Sequence, residues 1–387
     1  MNGWPESGGC KIDMRLQSIS IRNFRNLESL ELEFSSGLNV IHGLNGQGKT
    51  NLLEAMFYLV TGRSFRTHQD GAVLPLGAAA DAVAAIEGLV IRENGGRNRL
   101  RVAISRQGKR ILIDEKPVAQ LAGLWGRLRA VLFTPDDLMI LKDGPALRRR
   151  MIDITLSQID AGYLAALQNY SRALRQRNLL LRDAEERRAP RDQILAFNAP
   201  LAQWGAAIHE KRRRFLHDLG ERAARLYAGI APSSETLELE YRDALHGKKF
   251  SSPEAALTAW RKMMDGNIET DIRRGQTLRG AHREDMRLEL SGRDLRQFGS
   301  QGQLRTAMLS LRLAELELMR DWSGEPAILM LDDLASELDA PRRNQLFTRL
   351  DAGLQTILTT IDPELLGSRL ENARTIHLQD GRLISTD

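Results

Sequence analysis

Residues Gly43-Leu44-Asn45-Gly46-Gln47-Gly48-Lys49-Thr50 satisfy the pattern G-x-x-x-x-G-K-[ST]. The short apolar stretch LNVIH (38–42) precedes them, and Leu52, Leu53, Met56, Phe57 and Val60 follow at helical spacing. Strand, glycine-rich turn and helix in that order leave few folds open. Backbone N–H groups of the turn must converge on an anion at the helix N-terminus, with an α/β sheet behind them. The glycines let the loop 43–48 curl around the β-phosphate, Lys49 reaches the β/γ oxygens, and the Thr50 hydroxyl is offered to Mg²⁺. The expected ligands are ATP and Mg²⁺.

A second element belongs with the first. Ile328-Leu329-Met330-Leu331 reads as a buried strand that delivers Asp332 and Asp333 to its C-terminal edge, where such sheets bind ligands. Asp332 is expected to hold Mg²⁺, and Asp333 to polarise the attacking water. A strand ending in a polar turn is the plainer alternative, and the phosphate loop in the same chain weighs against it.

Three weaker features carry two readings each. Phe298-Gly299-Ser300-Gln301-Gly302-Gln303 opens a long amphipathic helix over 303–320. Ser300, Gly302 and Gln303 are either an ordinary cap or an anion site for the γ-phosphate held by a second subunit. Ser336-Glu337-Leu338-Asp339 follows the acidic pair, where residues crossing a dimer interface would sit; Ser336 and Asp339 also suit a capped loop. Asn23 and Arg25 flank Phe24, 25 residues before Lys49. Asn23 is placed to touch nucleotide and Arg25 phosphate, or both mark an exposed strand end.

Charge is unevenly spread. The net charge is +5, yet residues 146–227 alone carry +7 and the remainder −2. An Arg-rich excess of this kind suits a polyanion, most simply nucleic acid, with a solvated helical face as the alternative. Arg172, Arg175, Lys211, Arg212, Arg213 and Arg214 are the candidate DNA contacts, with arginines over 273–287 as substitutes.

The rest of the chain sets the frame. No apolar run approaches the roughly 18 residues of a membrane span, and mean hydropathy is −0.34. The single cysteine, Cys10, excludes a disulfide scaffold, a cysteine-ligated zinc site and an iron–sulfur cluster, so a reducing cytoplasm is expected. Residues 1–13 lack an apolar signal region and read as a flexible extension or as the product of an alternative start. Period-two alternation marks Ile19 and Ile21, then Leu30, Leu32 and Phe34. A hairpin is expected around Gln107-Gly108-Lys109, and further strands at 129–133, 236–241, 286–290, 326–331, 354–360 and 373–378. Long helices are expected from 146 to 227, broken near Ala189-Pro190 and Ala199-Pro200, and a helix led by Pro341 before the strand at 354. The predicted division is 14–145 and 275–387 as one α/β head, with 146–274 as an inserted, mainly helical, Arg-rich lobe.

Phosphate loop, S-x-G-Q, acidic strand end and S-E-L-D, in that order, resemble the ABC-type ATPase heads. IRNFRNL (21–27), GRSFRT (62–67), VLFTPDDL (131–138), RRRMID (148–153), RGAHRED (279–285) and LDDLASELD (331–339) narrow the resemblance, from Met14 onward, to the RecF-type repair ATPases. The implied fold is α/β, an ABC-type head of mixed sheet with an antiparallel subdomain, interrupted by the helical lobe. The implied function is an ATP-dependent clamp on gapped or junction DNA, with single-stranded DNA a further substrate. The resemblance further implies an ATP-dependent homodimer that supports RecA loading with RecR and RecO, takes part in SOS induction, and works in the cytoplasm at the nucleoid. Departures from the broad ABC pattern are the absence of Gln in VLFTPDDL, Thr360 near the place of the switch His, and Asp333 where Glu is common. They imply slow hydrolysis used as a timer. A transporter subunit would need the missing Gln and His. A chromosome-structuring ATPase would need sustained heptads, and the stretch from Lys49 to Asp332, 283 positions apart, does not contain them. With 54 residues after Asp333, a fused nuclease domain is not expected.

Overall fold

The computed structural model describes residues 14–92, 95–185, 190–231, 234–248, 250–333, 342–343, 346–348 and 354–387. The chain divides into two compact units, 1–135 with 319–387, and 136–318. The phosphate loop and the acidic strand fall in the first unit, and the turn at Ser300 in the second.

The first unit is built from two six-stranded sheets. One is antiparallel, in the order Leu27–Glu33, Arg15–Phe24, Ala84–Ile91, Arg97–Ser105, Gly108–Ile113, Lys116–Pro117. Its alternation is as the sequence suggests: Ile19, Ile21, Leu30 and Leu32 are buried while Arg22, Ser29 and Glu31 face outward. The strand Ala84–Ile91, which sequence reading left unassigned, joins the two expected halves of this sheet.

The other sheet runs Arg382–Thr386, Arg374–Gln379, Leu38–His42, Thr356–Thr360, Ile328–Asp332, Ala130–Phe133. All its pairings are parallel except that of the two C-terminal strands. Ile328–Asp332 and Thr356–Thr360 are buried at every position, as expected of parallel strands covered on both faces. The helix Lys49–Thr61 packs on both sheets, which explains why every side chain from Leu52 to Thr61 is buried.

The second unit holds the helices Pro145–Ile159, Ala161–Glu185, Asn198–Ile230, Pro253–Gly266 and Ile268–Arg274. A three-stranded antiparallel sheet, Arg293–Asp294, Asp285–Leu290, Leu237–Arg242, completes it. The break expected at Ala199-Pro200 is not there. Pro200 lies in the first turn of a 33-residue helix, where its missing N–H had no intrahelical acceptor. Ala189 and the helix start expected at Pro341 lie outside the described residues.

Candidate functional site

The phosphate loop has the backbone its glycines require. Gly43, Gly46 and Gly48 have φ of 149°, 79° and 101°. A Cβ on Gly43 would stand 2.3 Å from the Leu378 carbonyl oxygen, and one on Gly48 2.9 Å from the Leu27 side chain. Lys49 is buried, and its Nζ donates to the carbonyls of Gly43 at 2.6 Å and Leu44 at 2.9 Å. The ammonium thus stands in the mouth of the loop. Burial lowers its pKa, opposed by Asp333 and Asp332. Gln47 braces the loop from the far side. Its main-chain oxygen accepts from Gly381 N at 3.1 Å, and its side-chain oxygen from Asp380 N.

Residues 282 positions apart meet at the head of the helix, where Thr50 Oγ1 donates to Asp332 Oδ1 at 3.0 Å. Thr359 Oγ1 donates to the same oxygen at 2.8 Å and accepts from Asp333 N at 3.0 Å. Burial raises the pKa of Asp332. Thr50 and Asp332 present hard oxygen donors of the kind Mg²⁺ takes together with phosphate oxygens. Among the described residues no three His, Cys, Asp or Glu converge, so the fit rests on this pair together with the phosphate oxygens that a nucleotide would supply. Asp333 has φ 49°, a left-handed backbone that a non-glycine residue adopts at a cost, as is common beside reacting groups.

Thr359 was not singled out in the sequence; Thr360 was. Thr360 instead donates to the Asp362 carbonyl at 3.0 Å and turns the chain. Nor was Asn26, whose Nδ2 donates to the Gly46 carbonyl at 3.2 Å. Of the residues that were singled out nearby, Asn23 donates to Val83 O at 3.4 Å and Arg25 pairs with Glu54. An open cleft of about 610 Å³ lies on the outer face of the antiparallel sheet, lined by Arg22, Glu87, Arg99 and Arg101. It contains none of the phosphate-loop residues, and Glu87 already pairs with Arg99 and Arg101.

In the second unit, Ser300 and Gln303 form a reciprocal cap. Ser300 N donates to Gln303 Oε1 at 2.8 Å, and Gln303 N to Ser300 Oγ at 3.2 Å. Gln303 Nε2 also donates to Glu235 Oε1 at 2.7 Å, and the Gly302 carbonyl accepts from Thr306. Ser336 and Asp339 lie outside the described residues.

The candidate DNA contacts separate sharply. Arg172, Arg175, Arg213 and Arg214 are exposed, with Arg213 paired to Glu210; Lys211 is half-buried on Asp160. Arg212 is a correction. It is 2% exposed, and its guanidinium bonds Asp153 at 2.7 Å, Tyr163 at 2.9 Å, Ala281 O at 2.6 Å and Glu284 at 3.1 Å. No face remains for a DNA phosphate. Burial works against the Arg212 charge, but Asp153, Tyr163 and Glu284 more than reverse that and raise its pKa. Glu284, buried as well, also accepts from Tyr241 at 2.5 Å and contacts His209 Nδ1 at 3.0 Å. RRRMID and RGAHRED therefore meet in a buried polar core of the second unit. Four consecutive residues sweep about 300° around a helix, so on a helix packed along one face a run such as 211–214 turns a member inward, and helical phase was the signal available.

A family model described as RecF/RecN/SMC N terminal domain matches residues 15–383. The DNA replication and repair protein RecF of Acetivibrio thermocellus is 35% identical over 357 residues, 92% of this chain and 95% of that protein. RecF of Exiguobacterium sp. is 37% identical over 371 residues, 96% and 99% of the two chains. A solved structure of the recombination mediator protein RecF with ATP, in the RecFOR pathway, superposes with a TM-score of 0.87 at 32% identity, covering 96% and 99%. The Smc head domain of Pyrococcus furiosus shares the fold at TM-score 0.55 and 15% identity, over 97% and 96% of the chains.

Proposed function

The chain belongs to the RecF family, and from that membership we propose that it is an ATP-driven switch on DNA. Its ligand is ATP with Mg²⁺. Lys49 neutralises the β/γ phosphates, Thr50 and Asp332 hold the metal, and Asp333 orients the attacking water. The observation that carries this reading is the 3.0 Å contact of Thr50 with Asp332 at the open end of the phosphate loop. ATP joins two copies, each Ser300 turn completing the other's site, because the positive end of a helix dipole suits a γ-phosphate and a two-fold pairing makes both sites equivalent. Asn23 and Arg25 border the nucleotide on the same chain. The paired copies grip gapped or junction DNA through exposed arginines of the second unit, and slow hydrolysis lets go. RecR and RecO are the partners, and RecA loading and SOS induction the outcome, as the RecFOR pathway of the structural relative supports.

The test is light scattering on size-exclusion fractions with and without ATP and DNA. Dimers that appear only with ATP are expected, and Lys49→Ala should abolish both nucleotide binding and dimer formation. DNA affinity should fall steeply with salt, and charge removal at Arg172, Arg175, Arg213 and Arg214 should flatten that slope. Undiminished ATP affinity in Lys49→Ala sinks the nucleotide assignment. An unchanged salt slope returns the arginines to a solvated face.

A further inference from the structure

Glu54 stands on the phosphate-loop helix with no exposed surface, in a stretch of otherwise mostly apolar buried side chains. A carboxylate in such a place is unfavourable unless paired, and an apolar side chain would pack there at lower cost. Glu54 is fully used. It accepts from Arg25 Nε at 3.1 Å and Nη2 at 2.9 Å, and from Ser64 Oγ at 2.5 Å, and it pairs with Arg66 Nη1 at 3.5 Å. Ser64 Oγ in turn accepts from the main-chain N–H groups of Arg66 at 2.9 Å and Thr67 at 3.0 Å, so the carboxylate also sets the GRSFRT turn.

The contacts continue to the phosphate loop. Arg66 Nη1 donates to Asn51 Oδ1 at 2.8 Å, Asn51 Nδ2 to Asn26 Oδ1 at 2.7 Å, and Asn26 Nδ2 to the Gly46 carbonyl at 3.2 Å. Gly46 is an exposed, left-handed residue of the loop, and Asn26 is the side chain that holds its carbonyl. We propose that Glu54 is a positioning residue of the nucleotide site. It holds Arg25 directly and, through Arg66, Asn51 and Asn26, fixes the Gly46 peptide in the shape that phosphate binding requires. Being buried, it does this without touching nucleotide. A loop fixed beforehand binds phosphate with less ordering cost, so the effect falls on affinity more than on the chemical step. The inference rests on the phosphate loop being an ATP site.

The experiment measures ATPγS affinity by calorimetry, and KM and kcat for ATP, on the full chain. Glu54→Gln should weaken ATPγS binding about fivefold or more and raise KM in step, with kcat changed less than about twofold. Asn51→Ala, at a partly exposed position, should weaken binding in the same direction. The double variant should be no weaker than Glu54→Gln alone, because both cut one string of contacts. Wild-type affinity in Glu54→Gln or in Asn51→Ala overturns the proposal, as do losses that multiply in the double variant. If Glu54→Gln fails to fold, Asn51→Ala and Asn26→Ala carry the test, and wild-type affinity in either overturns it. A wild-type chain that does not bind ATPγS at all overturns instead the nucleotide reading beneath it.

Discussion

The Asp332 carboxylate shows how one oxygen can organise a site. Its Oδ1 takes hydroxyl donors from two different elements, Thr50 and Thr359, and the second of these also receives the amide of Asp333. Thr359 therefore fixes both acids, although it carries no charge. Thr359→Val keeps the shape and the β-branch but removes one donor and one acceptor from buried groups. The expected cost is about 1–3 kcal/mol of stability, with a fall in ATP turnover larger than the fall in ATP affinity. Urea unfolding and steady-state hydrolysis check both parts, and turnover equal to wild type would assign Thr359 to packing alone. Sequence reading reached Lys49, Thr50 and the two acids because their chemistry is written into a fixed spacing. It did not reach Thr359, Asn26 or Glu54. Their roles come from pairings between strands and loops far apart in sequence, and Thr and Asn are common residues without such spacing.

At the scale of elements, the turn at Ser300 is a measurable cap. Ser300→Ala removes the acceptor for Gln303 N and should cost about 1 kcal/mol. Ser300→Asp caps as well as serine, so stability should be retained, while its added charge repels a partner's phosphate. The expected result is a thermal midpoint close to wild type with ATP-dependent self-association lost; retained self-association would leave Ser300 as a cap only. Most elements were legible from periodicity, including Leu38–His42, Ile328–Asp332 and the helix that Ser300 opens. Two misreadings have plain causes. Pro200 does not break the helix, because a helix's first turn tolerates proline. Arg212 was grouped with its surface neighbours although the helical turn carries it to the inner face, against Asp153 and Glu284.

For the whole molecule, acid should loosen the second unit through His282. Its Nδ1 lies 2.8 Å from the Tyr170 hydroxyl and its Nε2 3.0 Å from the Thr277 carbonyl, an arrangement that suits the neutral ring. Burial, with help from Arg283 and Arg149, lowers its pKa from 6.5 to about 4, against the Thr277 carbonyl. The unfolded chain then binds the extra proton first. Stability from this group is complete above pH 6.5 and is lost as pH falls toward about 4, by up to about 3 kcal/mol. Thermal unfolding between those limits should show the slope, and His282→Gln should flatten it; an equal slope in the variant would assign the acid sensitivity to other groups. The strand order of the parallel sheet has a consequence for how such a chain is made. Leu38–His42, which carries the phosphate loop, is flanked by Thr356–Thr360 and Arg374–Gln379, more than 300 residues later. On the ribosome the loop's strand therefore waits unpaired through most of translation, a slow, long-range closure. A truncated product that stops before residue 356 carries the whole phosphate loop without the strands that hold it, and should therefore bind nucleotide far more weakly than finished chains.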